Sequence, residues 1–233
     1  MEDILCTGFA ELGIEPDARA FERYKTYFEY LEERNAVMNL TAINGTEDVA
    51  RLHFLDCAAL LSLCDFKNKT VIDVGTGAGF PGLALKIAEP SIELTLLDSL
   101  NKRVEFLSET CARLDFDDVT CMHARAEEAP KELRAAFDIA TSRAVARLNT
   151  LCELCLPFVK VGGVFVAMKG PDCAQELEEA ENALHILGAE AEKTVPYTIP
   201  GTDIVHTAVI IRKVKPTHPK YPRKWAQIKK QPL

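Results

Sequence analysis

The spacing of hydrophobic residues along this chain of 233 residues changes near residue 66. Before that point, apolar positions recur three and four residues apart, which is the spacing of one face of an amphipathic helix. One such face comprises Phe21, Tyr24, Phe28 and Leu31. Residues 1–66 are therefore predicted to form a helical cap that packs on the remainder of the chain.

Beyond residue 66, short apolar runs alternate with longer helical patterns. The runs predict strands at 71–74, 92–97, 119–123, 137–142 and 164–168, the last after a turn at Gly162-Gly163. The patterns between them predict helices at 81–88, 101–114, 148–158 and 175–187. Two later runs, 190–197 and 204–212, predict an antiparallel hairpin. Residues 67–213 are thus predicted to form an α/β, Rossmann-like core with a mostly parallel seven-stranded sheet.

The densest glycine cluster follows the first predicted strand, within Asp73–Gly82. Glycine lacks the Cβ atom that would keep a ligand away from the backbone, and the next helix offers free N–H groups at its start. Ligands of open parallel sheets bind outside the carboxyl ends of the strands. The predicted strand ends carry Asp73–Gly79, Asp98, Arg125–Glu127, Ser142-Arg143 and Lys169-Gly170. We therefore expect one crevice lined by these residues.

Two classes of ligand fit the glycine cluster. Sites for S-adenosylmethionine have an acidic residue before alternate glycines, here Asp73, Gly75, Gly77 and Gly79. Dinucleotide sites have the pattern Gly-x-Gly-x-x-Gly, here Gly77, Gly79 and Gly82. The carboxylate of Asp73 would repel a pyrophosphate but attract the cationic amino-acid end of S-adenosylmethionine. This difference favours S-adenosylmethionine, with Asp98 accepting hydrogen bonds from its ribose; a glycine turn that binds nothing is a third interpretation.

Composition restricts the class of protein. The chain has 48% hydrophobic residues, no apolar stretch long enough to span a bilayer, and an acidic start unlike a signal peptide. Its eight cysteines mostly lie in periodic apolar segments, as reduced core thiols do, and Cys152-x-x-Cys155 is interpreted as helical packing rather than a zinc or redox pair. His53 and Asp56 are interpreted as a local side-chain pair. We expect a cytoplasmic monomer without a metal site or membrane association.

Charge is distributed unevenly along the chain. From Ile204 to Leu233 there are eight basic residues and no acidic one, whereas the rest holds 19 basic and 35 acidic residues, a net charge of −16. A basic end on an acidic body indicates a phosphate-bearing partner. We predict that residues 214–233 form a basic tail that contacts RNA through Lys220, Arg223 and Lys224. A solvated tail that only aids solubility is the alternative.

Several short motifs follow one another in a distinctive order. They are Asn39–Ile43, His53–Asp56, Asp73–Gly82, Leu97–Arg103, Arg125–Glu127, Ser142–Ala144, Lys169-Gly170 and Lys220–Lys224. Together they resemble the bacterial small-subunit rRNA methyltransferase G family over essentially the whole chain. The glycine motif alone is shared by a superfamily, whereas its combination with Leu97–Arg103 and the Tyr-Pro-Arg run is specific. The chain departs from the family pattern at His206, where arginine is usual, and at Trp225, where proline is frequent.

The resemblance implies a methyltransferase fold with S-adenosylmethionine as its cofactor. It also implies methylation of N7 of one guanine in the 530-loop region of 16S rRNA, so that the partner is 16S rRNA or the small ribosomal subunit. In the family, contacts to S-adenosylmethionine fall at positions matching Gly75, Phe80, Ala126, Glu127 and Arg143.

The residues at the strand ends agree with that acceptor on chemical grounds. A pyrimidine C5 acceptor needs a nucleophilic thiolate, but Cys121 lies within a strand. Guanine N7 carries a lone pair and no proton, so it needs positioning rather than a general base. Arg125 and Arg143 are candidate contacts to guanine O6 or to phosphate. Ion pairs with Glu127 or Glu128 are the alternative for these arginines.

Three other functions stay open from the residues alone. Ribose 2′-O methylation would use a lysine to assist deprotonation of the hydroxyl, and Lys102 and Lys169 lie near the predicted crevice. A dinucleotide-dependent oxidoreductase would share the core fold. An RNA-binding protein without catalytic activity is the third alternative.

Overall fold

The computed structural model describes residues 1–143, 146–171 and 173–233. The chain begins with two long helices, α1 (Glu2–Leu12) and α2 (Ala20–Met38). Shorter helical segments follow: α3 (Thr46–Val49), a π-helical segment (Ala50–Leu55), α4 (Asp56–Ala58) and α5 (Leu60–Leu63). The predicted helical character of residues 1–66 is thus observed. Ala144, in the motif Ser142–Ala144, lies outside the described residues.

Within the described residues, seven strands form one sheet in the order β3-β2-β1-β4-β5-β7-β6. The strands are β1 (Thr70–Val74), β2 (Glu93–Asp98), β3 (Thr120–His123), β4 (Phe137–Arg143), β5 (Val159–Lys169), β6 (Ala189–Thr198) and β7 (Val205–Lys213). The first five run parallel, and β7 pairs antiparallel with both β5 and β6. The predicted mostly parallel sheet and its terminal hairpin are both observed.

Helices connect the parallel strands and cover the sheet. They are α6 (Gly82–Ala88), α7 (Asn101–Arg113), α8 (Leu148–Cys155) and α9 (Ala174–Leu187). One apolar cluster joins the N-terminal helices to one face of the sheet, and a second joins α8 and α9 to the other face. The strand order reverses beside β1, between β2 on one side and β4 on the other. Ligands of such sheets bind outside the carboxyl ends of the strands at this point.

Tyrosines of α2 attach the N-terminal helices to the glycine cluster. The hydroxyl of Tyr24 donates to the carbonyl of Ala84 at 2.7 Å, and that of Tyr27 donates to the carbonyl of Ala78. Tyr24 and Tyr27 are fully buried, whereas Phe28 is only partly buried. The buried face of α2 is therefore rotated toward Tyr27, which the predicted face did not include.

Two predicted segments differ from the structure. The fifth strand begins at Val159 and continues through Gly162-Gly163, where a turn was predicted; its pairing with β4 is irregular between Phe137 and Ile139, which accommodates the two glycines within the strand. Residues 214–233 are not a free tail, because they contain helix α10 (Trp225–Lys230) and bury Ile228 completely. In the described part of the chain, no helix combines the length and apolar character needed to cross a membrane.

Candidate functional site

Three cavities adjoin at the carboxyl ends of the parallel strands. The inner cavity, about 220 Å³, is bounded by Gly75, Asp98, Ala126, Glu127, Leu151, Leu154 and Trp225, among others. The loop cavity, about 440 Å³, follows Gly75–Ala78 and reaches Phe80, Asp98, His53 and Arg143. The outer cavity, about 480 Å³, is bounded by His53, Asp56, Arg143, Lys169, Glu176 and His206, among others. The inner and loop cavities share Gly75 and Asp98, and the loop and outer cavities share His53 and Arg143. The three cavities are therefore neighbours, with these shared residues as the walls between them.

A buried carboxylate shapes the glycine loop between β1 and α6. Oδ2 of Asp73 accepts hydrogen bonds from the Thr76 hydroxyl at 2.6 Å and from the backbone N–H of Gly82 at 2.8 Å. A Cβ atom at Gly82 would lie 2.9 Å from the same oxygen, so this approach requires glycine. The backbone of the loop is therefore arranged around the Asp73 carboxylate.

The glycines of the loop have different tasks. Gly75, Gly77 and Gly79 all have positive φ angles, of 71°, 62° and 105°, which side chains rarely tolerate. A Cβ atom at Gly77 would project into open space, whereas one at Gly79 would meet the Tyr27 hydroxyl at 2.5 Å. Gly77 thus leaves its backbone exposed to a ligand in the loop cavity. Gly79 instead permits close packing against α2.

Asp73 lies beneath the loop rather than in the walls of the cavities. Its side chain is fully buried, and burial raises its pKa to about 6. Its second oxygen, Oδ1, has no hydrogen-bond partner among the described residues. The predicted attraction of Asp73 for the cationic end of S-adenosylmethionine stays a prediction. Its hydrogen bonds to Thr76 and Gly82 show that Asp73 holds the glycine loop.

Asp98 joins the inner cavity to the loop cavity. It is 3% exposed, Oδ2 accepts from the N–H of Gly77 at 2.9 Å, and Oδ1 accepts from the N–H of Leu100 at 2.9 Å. Arg103 lies 3.5 Å from Oδ2. A carboxylate oxygen accepts about two hydrogen bonds, so Oδ1, which accepts from Leu100 alone, retains capacity for a ligand hydroxyl. Asp98 therefore lines both cavities, and its predicted contact with a ribose stays a prediction.

The segment after β3 forms the far wall of the inner cavity. Ala126 and Glu127 lie in a short 3₁₀ helix, and Oε1 of Glu127 is buried without a hydrogen-bond partner among the described residues. Arg125 lies 4.0 Å from that oxygen but is half exposed. A buried carboxylate oxygen without a partner favours a ligand that brings a donor. The exocyclic amine of an adenine is such a donor, and the predicted contact of Glu127 with the cofactor stays a prediction.

Arg143, at the end of β4, separates the loop cavity from the outer cavity. Its Nη1 donates to Asp56 and to the carbonyl of Leu52, both at 3.2 Å, and its Nη2 donates to Nδ1 of His53 at 2.7 Å. The guanidinium also lies 4.9 Å from the centre of the Phe80 ring. These contacts within the protein hold the guanidinium in place. The structure places both Arg143 and Phe80 in the cavity walls, while their predicted contacts to cofactor or guanine stay predictions.

His53 and Asp56 both contact Arg143, rather than forming the local pair that their spacing suggested. The pKa of His53 falls to about 3, chiefly because the ring is buried and also because Arg143 is adjacent. Its Nε2 hydrogen-bonds with the Thr41 hydroxyl at 2.8 Å. His53 is therefore neutral at physiological pH, and both ring nitrogens are occupied.

The hairpin adds two residues that contact Asp56, and one of them, His206, lines the outer cavity. The hydroxyl of Tyr197 and Nδ1 of His206 both donate to Oδ1 of Asp56, at 2.8 and 2.9 Å. These contacts link residues about 140 to 150 positions apart. Only the sheet order brings them together, so no local pattern could reveal them.

The basic tail lies against the core, and its three predicted RNA contacts differ. Lys220 and Lys224 are exposed, whereas Arg223 forms a bidentate ion pair with Glu153 of α8, with Nη2 to Oε2 at 2.6 Å. The guanidinium of Arg223 is therefore held by a fully buried carboxylate. Lys220 and Lys224 remain available to a polyanion, while Arg223 has a structural task.

Comparison with known proteins identifies relatives over the whole length. Residues 20–203 match the sequence model of a family described as rRNA small subunit methyltransferase G. A protein named Ribosomal RNA small subunit methyltransferase G from Clostridium perfringens is 44% identical over 99% of this chain and 98% of its own length. One of the same name from Alkaliphilus metalliredigens is 47% identical over 99% of this chain and 98% of its own length.

Solved structures share the fold at lower sequence identity. A SAM-dependent methyltransferase from Aquifex aeolicus matches with a TM-score of 0.53 and 21% identity, over 72% of this chain and 94% of its own. TYW2 from M. jannaschii, solved in complex with AdoMet, matches with a TM-score of 0.53 and 14% identity, over 64% of this chain and 70% of its own. The predicted methyltransferase fold is confirmed, and so is S-adenosylmethionine, rather than a dinucleotide, as the cofactor.

The role of Asp98 can be tested by calorimetry. Asp98→Ala is expected to weaken S-adenosylmethionine binding by about 1–3 kcal/mol, because ribose donors would lose their buried acceptor. Asp117→Ala, which removes an exposed carboxylate outside the crevice, is the matched control. Thermal unfolding without cofactor establishes that both variants fold. An affinity equal to that of the wild type in a folded Asp98→Ala protein would contradict this role.

The His206–Asp56 contact predicts a pH dependence of stability. The hydrogen bond to Asp56 raises the pKa of His206 above its usual value of 6.5, so the folded state binds the proton more tightly than the unfolded state. Its stabilising contribution is complete below about pH 6 and is lost as pH rises through the folded-state pKa. The difference in unfolding free energy between wild type and His206→Gln should therefore shrink from about pH 6 to pH 9. A pH-independent difference, or the same slope in the exposed His185→Gln variant, would refute this assignment.

Proposed function

The chain belongs to the rRNA small subunit methyltransferase G family, and on that premise we propose that it methylates N7 of one guanine in the 530-loop region of 16S rRNA. One observation carries the choice of acceptor. The outer cavity adjoins the loop cavity across Arg143 and His53, and its described walls offer hydrogen-bonding groups but no thiol. Such a pocket suits an acceptor that needs to be held rather than activated.

The cofactor would occupy the inner and loop cavities. S-Adenosylmethionine supplies a methyl group already activated by its sulfonium. Asp98 would hold the ribose, Gly75 and Gly77 would leave room beside the backbone, and the Ala126-Glu127 segment would hold the adenine. The unpartnered oxygen of Glu127 and the open space at Gly77 support this arrangement.

Arg143 would position the acceptor base from the other side. Its guanidinium is fixed by Asp56, Leu52 and His53, and it lies in the wall common to the loop and outer cavities. A rigid donor at that place suits guanine O6 and leaves the N7 lone pair free for the methyl group. Catalysis would then rest on alignment of N7 with the activated methyl group, together with the fixed charges of the wall.

The ribose 2′-hydroxyl is a weaker candidate for the acceptor, because the carboxylates in the described walls of the outer cavity are already paired. Asp56 pairs with Arg143 and His206, and Glu176 pairs with Lys169. The ammonium of Lys169 contacts Glu176 at 2.7 Å and the carbonyl of Ala146 at 3.1 Å, so it serves as a charged donor. Lys102 is exposed on α7. His53 has both ring nitrogens occupied. These contacts favour guanine N7 over a hydroxyl that must lose its proton.

Mapping of methylated rRNA tests the acceptor. Small subunits from cells that lack this protein are incubated with the purified chain and S-adenosylmethionine, and fragments of 16S rRNA are analysed by mass spectrometry. We expect one added methyl group in the 530-loop region, at a guanine that becomes sensitive to reduction and aniline cleavage, as N7-methylguanine does. Methylation at a ribose or exocyclic amine would contradict the proposed acceptor, and RNA binding without methylation would support the non-catalytic alternative.

We further propose that exposed lysines of residues 214–233 hold rRNA phosphates beside the crevice. Phosphate contacts release counterions, so binding should weaken steeply with salt. Replacement of Lys220, Lys224 and Lys229 by Gln should reduce the salt slope by about two to three units. Arg223 is left unchanged because its loss would leave Glu153 buried without a partner.

A matched variant separates this effect from net charge. Replacement of Lys25, Lys67 and Lys193 by Gln removes an equal number of positive charges from exposed sites outside the C-terminal segment. Binding to small subunits is titrated with salt for both variants. Equal slopes in the two variants would show that the lysines of the C-terminal segment make no specific phosphate contacts and would leave the solvated-tail interpretation.

A further inference from the structure

Residues 214–233, here called the C-terminal strap, are fastened to the core at several points. Nη1 of Arg134 donates to the carbonyl of Tyr221 at 2.5 Å, and Ile228 is completely buried. Between these points, Arg223 donates to Glu153 from both its backbone N–H and its guanidinium, each at 2.8 Å. An ion pair with a fully buried carboxylate fixes the geometry of the strap, because breaking it would leave an uncompensated charge.

These fastenings place the strap over the inner cavity. Glu153 lies on α8 between Leu151 and Leu154, and both leucines line that cavity. Two residues beyond Arg223, Trp225 lines the cavity too. Trp225 is 37% exposed, so the largest apolar side chain of the strap faces the cavity and solvent rather than the core. It is also the single tryptophan of the chain.

The inner cavity has one polar end and one apolar end. Gly75 and Asp98 form the polar end that it shares with the loop cavity, while Leu151, Leu154 and Trp225 supply apolar surface. Glu127 contributes a carboxylate at the wall. A nucleoside has matching parts. Its ribose is polar, the two faces of its base are apolar, and the edge of an adenine carries a hydrogen-bond donor.

From this arrangement we propose that the C-terminal strap is part of the cofactor site, with Trp225 packing against the adenine of S-adenosylmethionine. This inference rests on the placement of the cofactor given under the proposed function. It adds a wall that the glycine motif and the strand ends do not supply.

Binding measurements on two substitutions test the role of Trp225. Trp225→Ala should weaken the binding of S-adenosylmethionine on the order of tenfold, because the adenine loses its aromatic neighbour. The binding of S-adenosylhomocysteine should weaken by the same factor, since this molecule contains the same adenosine group. Trp225→Phe keeps an aromatic surface and should stay within about threefold of the wild type. Val214→Ala, an exposed apolar residue at the start of the strap, is the control and should not change affinity.

Two measurements on the intact chain supplement these variants. The fluorescence of the single tryptophan should change in intensity and wavelength when S-adenosylmethionine or adenosine is added, but not when methionine is added. Cofactor should also slow tryptic cleavage after Lys220 and Lys224. Glu153→Gln, which weakens the fastening without touching the cavity, should reduce both the affinity and this protection.

The outcomes separate this inference from the proposed function. Unchanged affinity in Trp225→Ala together with weakened affinity in Asp98→Ala would overturn the role of the strap and leave the cofactor site intact. Unchanged affinity in both would overturn the cofactor placement and the strap together. If Trp225→Ala does not fold, unchanged fluorescence and unchanged cleavage of the wild type with saturating cofactor would overturn the inference.

Discussion

The contact between Arg143 and Asp56 is the interaction on which the arrangement of the site depends. Asp56 belongs to the N-terminal helices, Arg143 to the end of β4, and the hairpin adds Tyr197 and His206 to the same carboxylate. Burial of a charged pair costs desolvation energy that the attraction roughly offsets, so its value lies more in geometry than in stability. Three separate parts of the chain are thereby held at one point beside the glycine loop, in the wall between the loop and outer cavities.

A second constraint acts from beneath the loop. Asp73 fixes the backbone of residues 75–82 from inside the protein, and Tyr27 supports the same loop from the N-terminal helices. The loop is thus preorganised by residues that do not line the cavities. Preorganisation spares the cofactor the free-energy cost of ordering the loop. It also explains why an acidic residue and a helix of aromatic residues, far apart in the sequence, serve one site.

The parts of this molecule that follow local rules could be predicted from its sequence. The strands alternate with helices at recognisable periods, and the glycines and Asp98 stand at strand ends, so the crevice follows from topology alone. Pairings between distant residues could not be predicted in this way. Arg223 and Glu153 are 70 positions apart, so the sequence does not show that they pair. Without that pairing, the basic C-terminal segment has the composition of a free tail. The strand through Gly162-Gly163 was not predicted because glycine pairs weaken strand propensity. Pairing with β4 at Val159 and Val164, on the two sides of the glycines, keeps the segment extended.

In the proposed arrangement, the strap brings the phosphate contacts and one cofactor contact together in one short segment. Lys224, which is exposed to a polyanion, is the neighbour of Trp225 in the chain, and the ion pair of Arg223 with Glu153 fixes both. If phosphates bind the lysines while the cofactor binds against Trp225, each ligand stabilises the same conformation of the strap. Thermodynamic linkage then requires the effect to be reciprocal: cofactor strengthens RNA binding by the factor by which RNA strengthens cofactor binding. A free basic tail would give charge attraction without this coupling, so the fastening to Glu153 is what turns a charged segment into part of the site.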